Sequence, residues 1–305
     1  MIAMNPIVVY LDQCAVSEMV NNPKLGGLRS FMEAKAGDGL IVCPLPFETI
    51  LESSRCGKAE TRNAIFAFYK KASIGLLFRS FFDILADELL TLVRPDWGAS
   101  AFSFTDSMEK LRDFSAESCV NFSNLIENKN SILKKFNRNS IDKNSTFEET
   151  LESVSLEPVS LLWRDLRRIV DSNGSVEASS LECPKVSKLL LQRGVTNYEA
   201  ENLAEAIRFR KMESIPVVYC HNRLAAIAAN DEISRGASKY CYNDIIDQER
   251  MSTAIAFSDF AITDRAMVSR VNRSRVCEQF HCRVFSVADL IDFEDVLMER
   301  IPRQF

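Results

Sequence analysis

The hydrophobic pattern changes period several times along the chain, and each change marks an element. Ile7-Val8-Val9-Tyr10-Leu11 is a solid apolar run stopped by Asp12, as in a buried strand. Apolar positions then recur at helical spacing from about Ala15 to Val20 and from Leu28 to Ala36, with Gly37 and Gly39 as a helix stop. Leu40-Ile41-Val42-Cys43 is a second buried run, which Pro44 and Pro46 end. Phe47 to Arg55 reads as a helix with Phe47, Ile50 and Leu51 on one face and Glu48 and Glu52 on another. A longer helix follows near Glu60 to Ala72. This order of strands and helices predicts a parallel α/β sheet.

From Leu76 to Arg210 the pattern is mostly helical. Phe78 to Val93 is strongly apolar, and Phe104 to Lys135 carries apolar residues at helical intervals. A loop is expected over Asn137 to Thr146, a short amphipathic helix over Leu161 to Val170, a Ser-rich loop over Asp171 to Pro184 and a helix over Tyr198 to Met212. The close trio Phe78, Phe81 and Phe82 reads as core. Pro216 then fits a first helical turn, with the helix running to about Ser234. Asp244 and Asp247 precede a small-residue helix, Gln248 to Ser258. Phe260-Ala261-Ile262-Thr263 is a strand ending at Asp264, Val284-Phe285-Ser286 is a last strand, and Val287 to Glu299 is a closing helix. The expected organisation is one split α/β domain, residues 1–75 plus 214–305, interrupted by a helical insertion over 76–213.

Composition narrows the chemistry. The chain has 305 residues, 47% of them hydrophobic and 26% charged, so a sizeable core is expected. The net charge of -5 argues against a surface coated in positive charge but leaves room for a local basic groove. His221 and His281 are the only histidines, which disfavours histidine-rich metal sites and histidine-based triads. Nine cysteines without a Cys-x-x-Cys pair, after a start that has neither a basic segment nor a long apolar one, read as reduced thiols in the cytoplasm. No stretch has the ~18 apolar residues of a membrane helix. Gly-x-Ser-x-Gly, Gly-x-Gly-x-x-Gly and P-loop motifs are all missing.

The acids carry the main signal. Asp12 and Asp264 each follow a strand, Glu48 and Glu52 lie one helical turn apart after another, and Asp247 opens a helix. In an open parallel sheet the carboxyl ends of the strands share one edge, where ligands bind. Carboxylates gathered there repel one another, and a hard divalent cation relieves the repulsion. Acids without histidines suit Mg²⁺ or Mn²⁺ and phosphodiester hydrolysis.

These pieces together resemble the PIN-domain family of metal-dependent ribonucleases. Val8-Val9-Tyr10-Leu11-Asp12 is similar to the first PIN strand and its metal-binding Asp. Cys43-Pro44-Leu45-Pro46, with Glu52 six residues after Pro46, resembles the turn and helix that carry the PIN Glu. Asn243-Asp244-Ile245-Ile246-Asp247 and Asp259-Phe260-Ala261-Ile262-Thr263-Asp264 resemble the last two motifs, with Asp247 seventeen residues before Asp264. The resemblance covers about residues 5 to 75 and 214 to 292. Where the family usually has a small polar residue this chain has Pro46, so Glu48 stays open beside Glu52, and Asp244 stays open beside Asp247. The resemblance implies a nuclease, RNA favoured over DNA, in which Asp12, Glu52, Asp247 and Asp264 hold Mg or Mn and Thr263 positions Asp264 or a water. It also implies a toxin or defence role, and a possible homodimer.

Arg265, Arg270, Arg273 and Arg275 fall in a stretch without an acid and read either as a phosphate-contacting rim or as a solvated surface. Lys134, Lys135 and Arg138, and separately Arg164, Arg167 and Arg168, are further basic clusters of the same ambiguity. Cys277, His281 and Cys282 lack the fourth ligand of a zinc site. The rival reading is a non-catalytic PIN-like scaffold that binds a protein partner through the insertion. A phosphohydrolase acting on a small phosphate is a third.

Overall fold

The computed structural model describes residues 6–53, 58–117, 146–172, 176, 180–209, 214–235 and 242–301. The chain divides into two compact units, one of Met1–Arg79, Phe102–Lys135 and Cys241–Phe305, the other of Ser80–Ala101 and Phe136–Tyr240. In chain order the elements begin β1 (Ile7–Leu11), α1 (Gln13–Asn21), α2 (Gly26–Gly37), β2 (Ile41–Val42), β3 (Leu45–Pro46), α3 (Phe47–Ser53), α4 (Ala59–Ala72) and β4 (Leu76–Phe78). They continue with α5 (Phe81–Thr91), β5 (Phe102–Phe104), α6 (Met108–Glu117), α7 (Phe147–Asp171), α8 (Pro184–Gln192), α9 (Asn197–Arg208) and α10 (Pro216–Arg235). The last are α11 (Tyr242–Phe257), β6 (Phe260–Thr263), α12 (Arg265–Ser274), α13 (Cys277–Phe280), β7 (Arg283–Ser286) and α14 (Leu290–Arg300).

The first unit is built on a four-stranded, all-parallel sheet in the order β2-β1-β6-β7, flanked by helices. Its strands are short apolar runs because a parallel sheet covered by helices is buried on both faces. Val9 lies opposite Phe260 and Leu11 opposite Ile262, and Ile262 in turn faces Phe285. Val9, Leu11, Phe260 and Ile262 pack with Met19, Met32, Ile41, Phe68 and Phe293 in one core. At about 1.5–3 kcal/mol per fully buried large apolar side chain, this cluster dominates the unit's stability. Hydrogen bonds pin the register: Asp259 Oδ2 accepts from the Val8 amide at 2.8 Å, and Tyr69 Oη donates to the Leu11 carbonyl at 3.1 Å.

The second sheet, β3-β4-β5, departs from the expectation. β2 does stop before Pro44, but Leu45 and Pro46 then form a separate strand, β3, at a sheet edge where a missing amide is tolerated. Leu76-Leu77-Phe78, expected in a helical region, pairs parallel with β3 and antiparallel with β5. Gly75 takes φ 82° at the tight approach to Thr105, where an added Cβ would stand 2.8 Å from the carbonyl oxygen. Phe47, expected on the apolar face of α3, is exposed at 41%, whereas Ile50 is buried.

The second unit is helical. α7 runs for 25 residues, far beyond the short helix expected over 161–170, and Thr146 and Glu149 form a capping box at its start. Thr196 and Glu199 repeat the box on α9. Asp165 is fully buried on α7 and accepts from the amides of Glu182 and Cys183 and from Ser187 Oγ, which fixes the loop before α8. The expected boundary at 214 differs from the observed division: α10 packs on α7 in this unit, and β5 and α6, expected in the insertion, lie in the first.

Candidate functional site

Asp12 follows β1 directly, and Asp264 follows β6, the parallel neighbour, so both stand at the carboxyl edge of the sheet. Each also caps the next helix. Asp12 Oδ1 accepts from the Gln13 amide at 2.7 Å, and Asp264 Oδ1 accepts from the Met267 amide at 2.8 Å. Both carboxylates therefore sit at helix N-termini, each fixed by a backbone amide. Thr263 is buried and donates to Asp12 Oδ2 at 2.9 Å, so its hydroxyl holds Asp12 rather than the expected Asp264 or water. The exposed Cys14 thiol points at the same oxygen from 3.6 Å.

A side chain that sequence reasoning missed organises these acids. Arg250, on α11, has a side chain only 3% exposed. Its Nη2 donates to Glu52 Oε1 at 2.8 Å, and its Nη1 lies 3.6 Å from both Asp12 Oδ1 and Asp247 Oδ1. The first contact is a hydrogen-bonded ion pair; the other two are charge contacts beyond hydrogen-bond length. Glu48 adds its charge to the surroundings of both Arg250 and Tyr10. The signal that could have pointed to Arg250 is its i,i+3 spacing from Asp247, which puts the two on one helix face.

One guanidinium does not balance this many carboxylates. Burial pushes the Asp247 carboxyl up to about 7; Arg250 pulls it back, and Asp12, Glu52 and Asp264 push it further up. Burial likewise holds Tyr10 well above the usual tyrosine range, with Asp12 adding to the effect.

The alternatives separate in space. Asp247 lies inside α11 rather than opening it, and faces Arg250. Asp244, one turn earlier, pairs instead with Arg270 Nη2 at 3.1 Å. Glu52 meets the guanidinium directly, and Glu48 stands one turn away on α3. Of the expected rim, Arg270 is thus held in an ion pair, while Arg265, Arg273 and Arg275 are exposed along and just after α12. Arg275, at φ 56°, ends that helix.

The other clusters are differently placed. Arg164, Arg167 and Arg168 all stand in ion pairs within the second unit, with Glu182, Asp171, Glu201 and Asp165 as partners. Lys134, Lys135 and Arg138 lie outside the described residues. His281 closes α13 in the left-handed region at φ 57°, and His221 faces the Phe81 ring at 5.1 Å. Cys14, Cys43, Cys183, Cys220, Cys277 and Cys282 are not in disulfides. Among the described residues, no three His, Cys, Asp or Glu side chains are grouped as they stand so as to hold a metal ion, and no helix is long and apolar enough to cross a membrane.

No protein-family model, curated protein or solved structure matches this chain.

Proposed function

We propose that this protein is a metal-dependent nuclease of PIN-like architecture, cleaving RNA in the cytoplasm. The observation that carries the reading is the meeting of Asp12, Glu52 and Asp247, from three separate elements, on one guanidinium at the carboxyl edge of a parallel sheet. Ligand sites of α/β folds occupy that edge. The donor set fits a hard divalent cation: carboxylate oxygens alone, carrying more negative charge than one arginine balances, with Asp247 pushed up to about 7. Asp12, Glu52, Asp247 and Asp264 would hold Mg or Mn. Such an ion, when bound, activates water and stabilises the charge that develops at a phosphodiester.

The chain's own residues do the positioning. Thr263 and the Gln13 amide fix both oxygens of Asp12, and the Met267 amide fixes Asp264. Arg265, Arg273 and Arg275, on and beside α12, offer charge to a phosphate backbone next to Asp264. The helical unit gives surface for a protein partner, and a toxin or defence role follows by analogy with the family alone.

A second reading also has an observation behind it. Arg250 neutralises acids as a structural ion-pair network does, and that favours a non-catalytic scaffold. A cleavage assay over mixed RNA and DNA substrates in Mg²⁺, Mn²⁺ or EDTA, on wild type and Asp12→Asn, separates the two. The nuclease reading expects RNA cleavage that EDTA and the substitution both stop. Absence of cleavage under every condition supports the scaffold, and cleavage of mononucleotides only supports a small-phosphate hydrolase.

A further inference from the structure

Arg250 is out of place on its helix. Met251, Ala254 and Ile255 around it are buried, and burying a guanidinium among such residues is costly unless acids surround it. Its Nε is sealed from solvent without a hydrogen-bond partner, so the side chain reaches the acids while leaving one donor unsatisfied. What it gains is the three-way contact with Glu52, Asp12 and Asp247.

That contact has a consequence for the ion. The oxygens nearest the guanidinium, Glu52 Oε1, Asp12 Oδ1 and Asp247 Oδ1, belong to three of the carboxylates that the metal reading requires. A divalent cation and a guanidinium repel each other at this range. The two also impose different spacing, since Mg²⁺ draws oxygens to about 2.0–2.1 Å while a guanidinium holds them near 2.8 Å or beyond. Among the described residues, no three of these acids form a metal group as they stand.

We propose that the Arg250 guanidinium is the resident counter-ion of this carboxylate site, and that a divalent cation binds there only in competition with it. The inference rests on the metal-site reading above and adds to it a built-in brake: the site keeps its shape without metal and takes the ion weakly. Removal of the guanidinium therefore strengthens ion binding and weakens the ion-free fold. Both effects are read without catalysis.

The test is a Mn²⁺ titration of the metal-free full chain, followed by the electron paramagnetic resonance of free Mn²⁺, on wild type, Arg250→Met and Arg250→Lys. Thermal unfolding with and without Mn²⁺ runs beside it. The Met variant is expected to bind Mn²⁺ at least tenfold more tightly than wild type, to melt lower without the ion and to gain more from it. The Lys variant keeps the charge but loses the fork, and is expected to bind severalfold more tightly than wild type. Should the Met variant not fold without the ion, the Lys variant decides by itself. Wild type that binds Mn²⁺ while a folded variant binds it equally or less tightly overturns the competition and makes Arg250 a support of the ion. Absence of Mn²⁺ binding in wild type and both folded variants overturns the metal-site reading itself.

Discussion

Substitution of Asp12 by Asn separates the chemistry of the site from its architecture. Asn caps a helix about as well as Asp, so its oxygen can still accept from the Gln13 amide. The new amide nitrogen then faces Thr263 Oγ1, which turns from donor to acceptor at little cost. The charge contact with Arg250 at 3.6 Å is lost, but so is repulsion from Asp247. These terms oppose each other, and the net loss of stability should stay within about 1 kcal/mol, or roughly 2–4 °C in Tm for a unit of this size. Asp12→Ala differs: it removes the cap, worth about 1 kcal/mol, and leaves the buried Thr263 hydroxyl without its acceptor, worth about 1–3 more. On the metal-site proposal catalysis ranks them otherwise, because both variants would lose an anionic ligand. If the bound ion supplies about 4 kcal/mol at the transition state, cleavage falls about a thousandfold in each. Urea unfolding and kcat/KM on one RNA substrate in Mn²⁺ give both axes. Full cleavage by Asp12→Asn would falsify the metal role of Asp12, and a loss above about 3 kcal/mol in that variant would make Asp12 a structural residue.

Asp247 sets a pH dependence. With its carboxyl at about 7, Mn²⁺ affinity and cleavage should rise as pH passes through that value, and Asp247→Asn should flatten the rise; a profile unchanged by the substitution refutes the assignment. The ion-free fold has the opposite slope: native Asp247 keeps a proton that the unfolded chain gives up near 3.8, so stability falls as pH rises towards and through 7. In the second unit, buried Glu88 is pushed from 4.5 to about 7, mainly by burial, so its contribution is full below pH 4.5 and is lost as pH rises through 7. Glu88→Gln keeps an acceptor for the Val217 amide and should gain about 3 kcal/mol over wild type above pH 8 but nothing at pH 4. Urea midpoints that run parallel in the two proteins would contradict this. Joint replacement of Arg265, Arg273 and Arg275 by Ser should raise KM for RNA about tenfold and flatten its salt dependence while kcat holds; an unchanged KM leaves these arginines as plain surface.

The main parallel sheet was legible because its strands are solid apolar runs between polar stops. Ile7 to Leu11 and Phe260 to Thr263 stand where the pattern puts them, as parallel neighbours. The second sheet was not legible. β4 is three residues at the head of a long apolar stretch, and a run that short has no period of its own. β3 ends in a proline, which the sequence reading takes as a stop and an edge strand tolerates. The unit boundary escaped for another reason: helical spacing marks the apolar stripe of Pro216 to Arg235 but does not say which helix covers it.

Asp12 and Asp264 were legible for the same reason as the sheet, whereas Glu52 and Asp247 lie within helices. A charged residue that ends a buried run lies at a strand end, and parallel strands bring such ends to one edge. Arg250 was hidden by the opposite logic. A single arginine in a helix of small residues reads as solvent-facing, since the pattern shows which positions are apolar and not which polar ones meet an opposite charge from elsewhere in the chain. The net charge of -5 conceals the same point. Summed over the chain, acids and bases are nearly in balance. Summed around Arg250, they are not: Asp12, Glu52 and Asp247 share one guanidinium, Glu48 and Asp264 add their charges nearby, and Asp247 is pushed up to about 7. Arg270, on α12, is paired with Asp244. A local deficit of positive charge at a sheet edge is a stronger pointer to a cation ligand than any whole-chain count, and it is a property of the fold, not of composition.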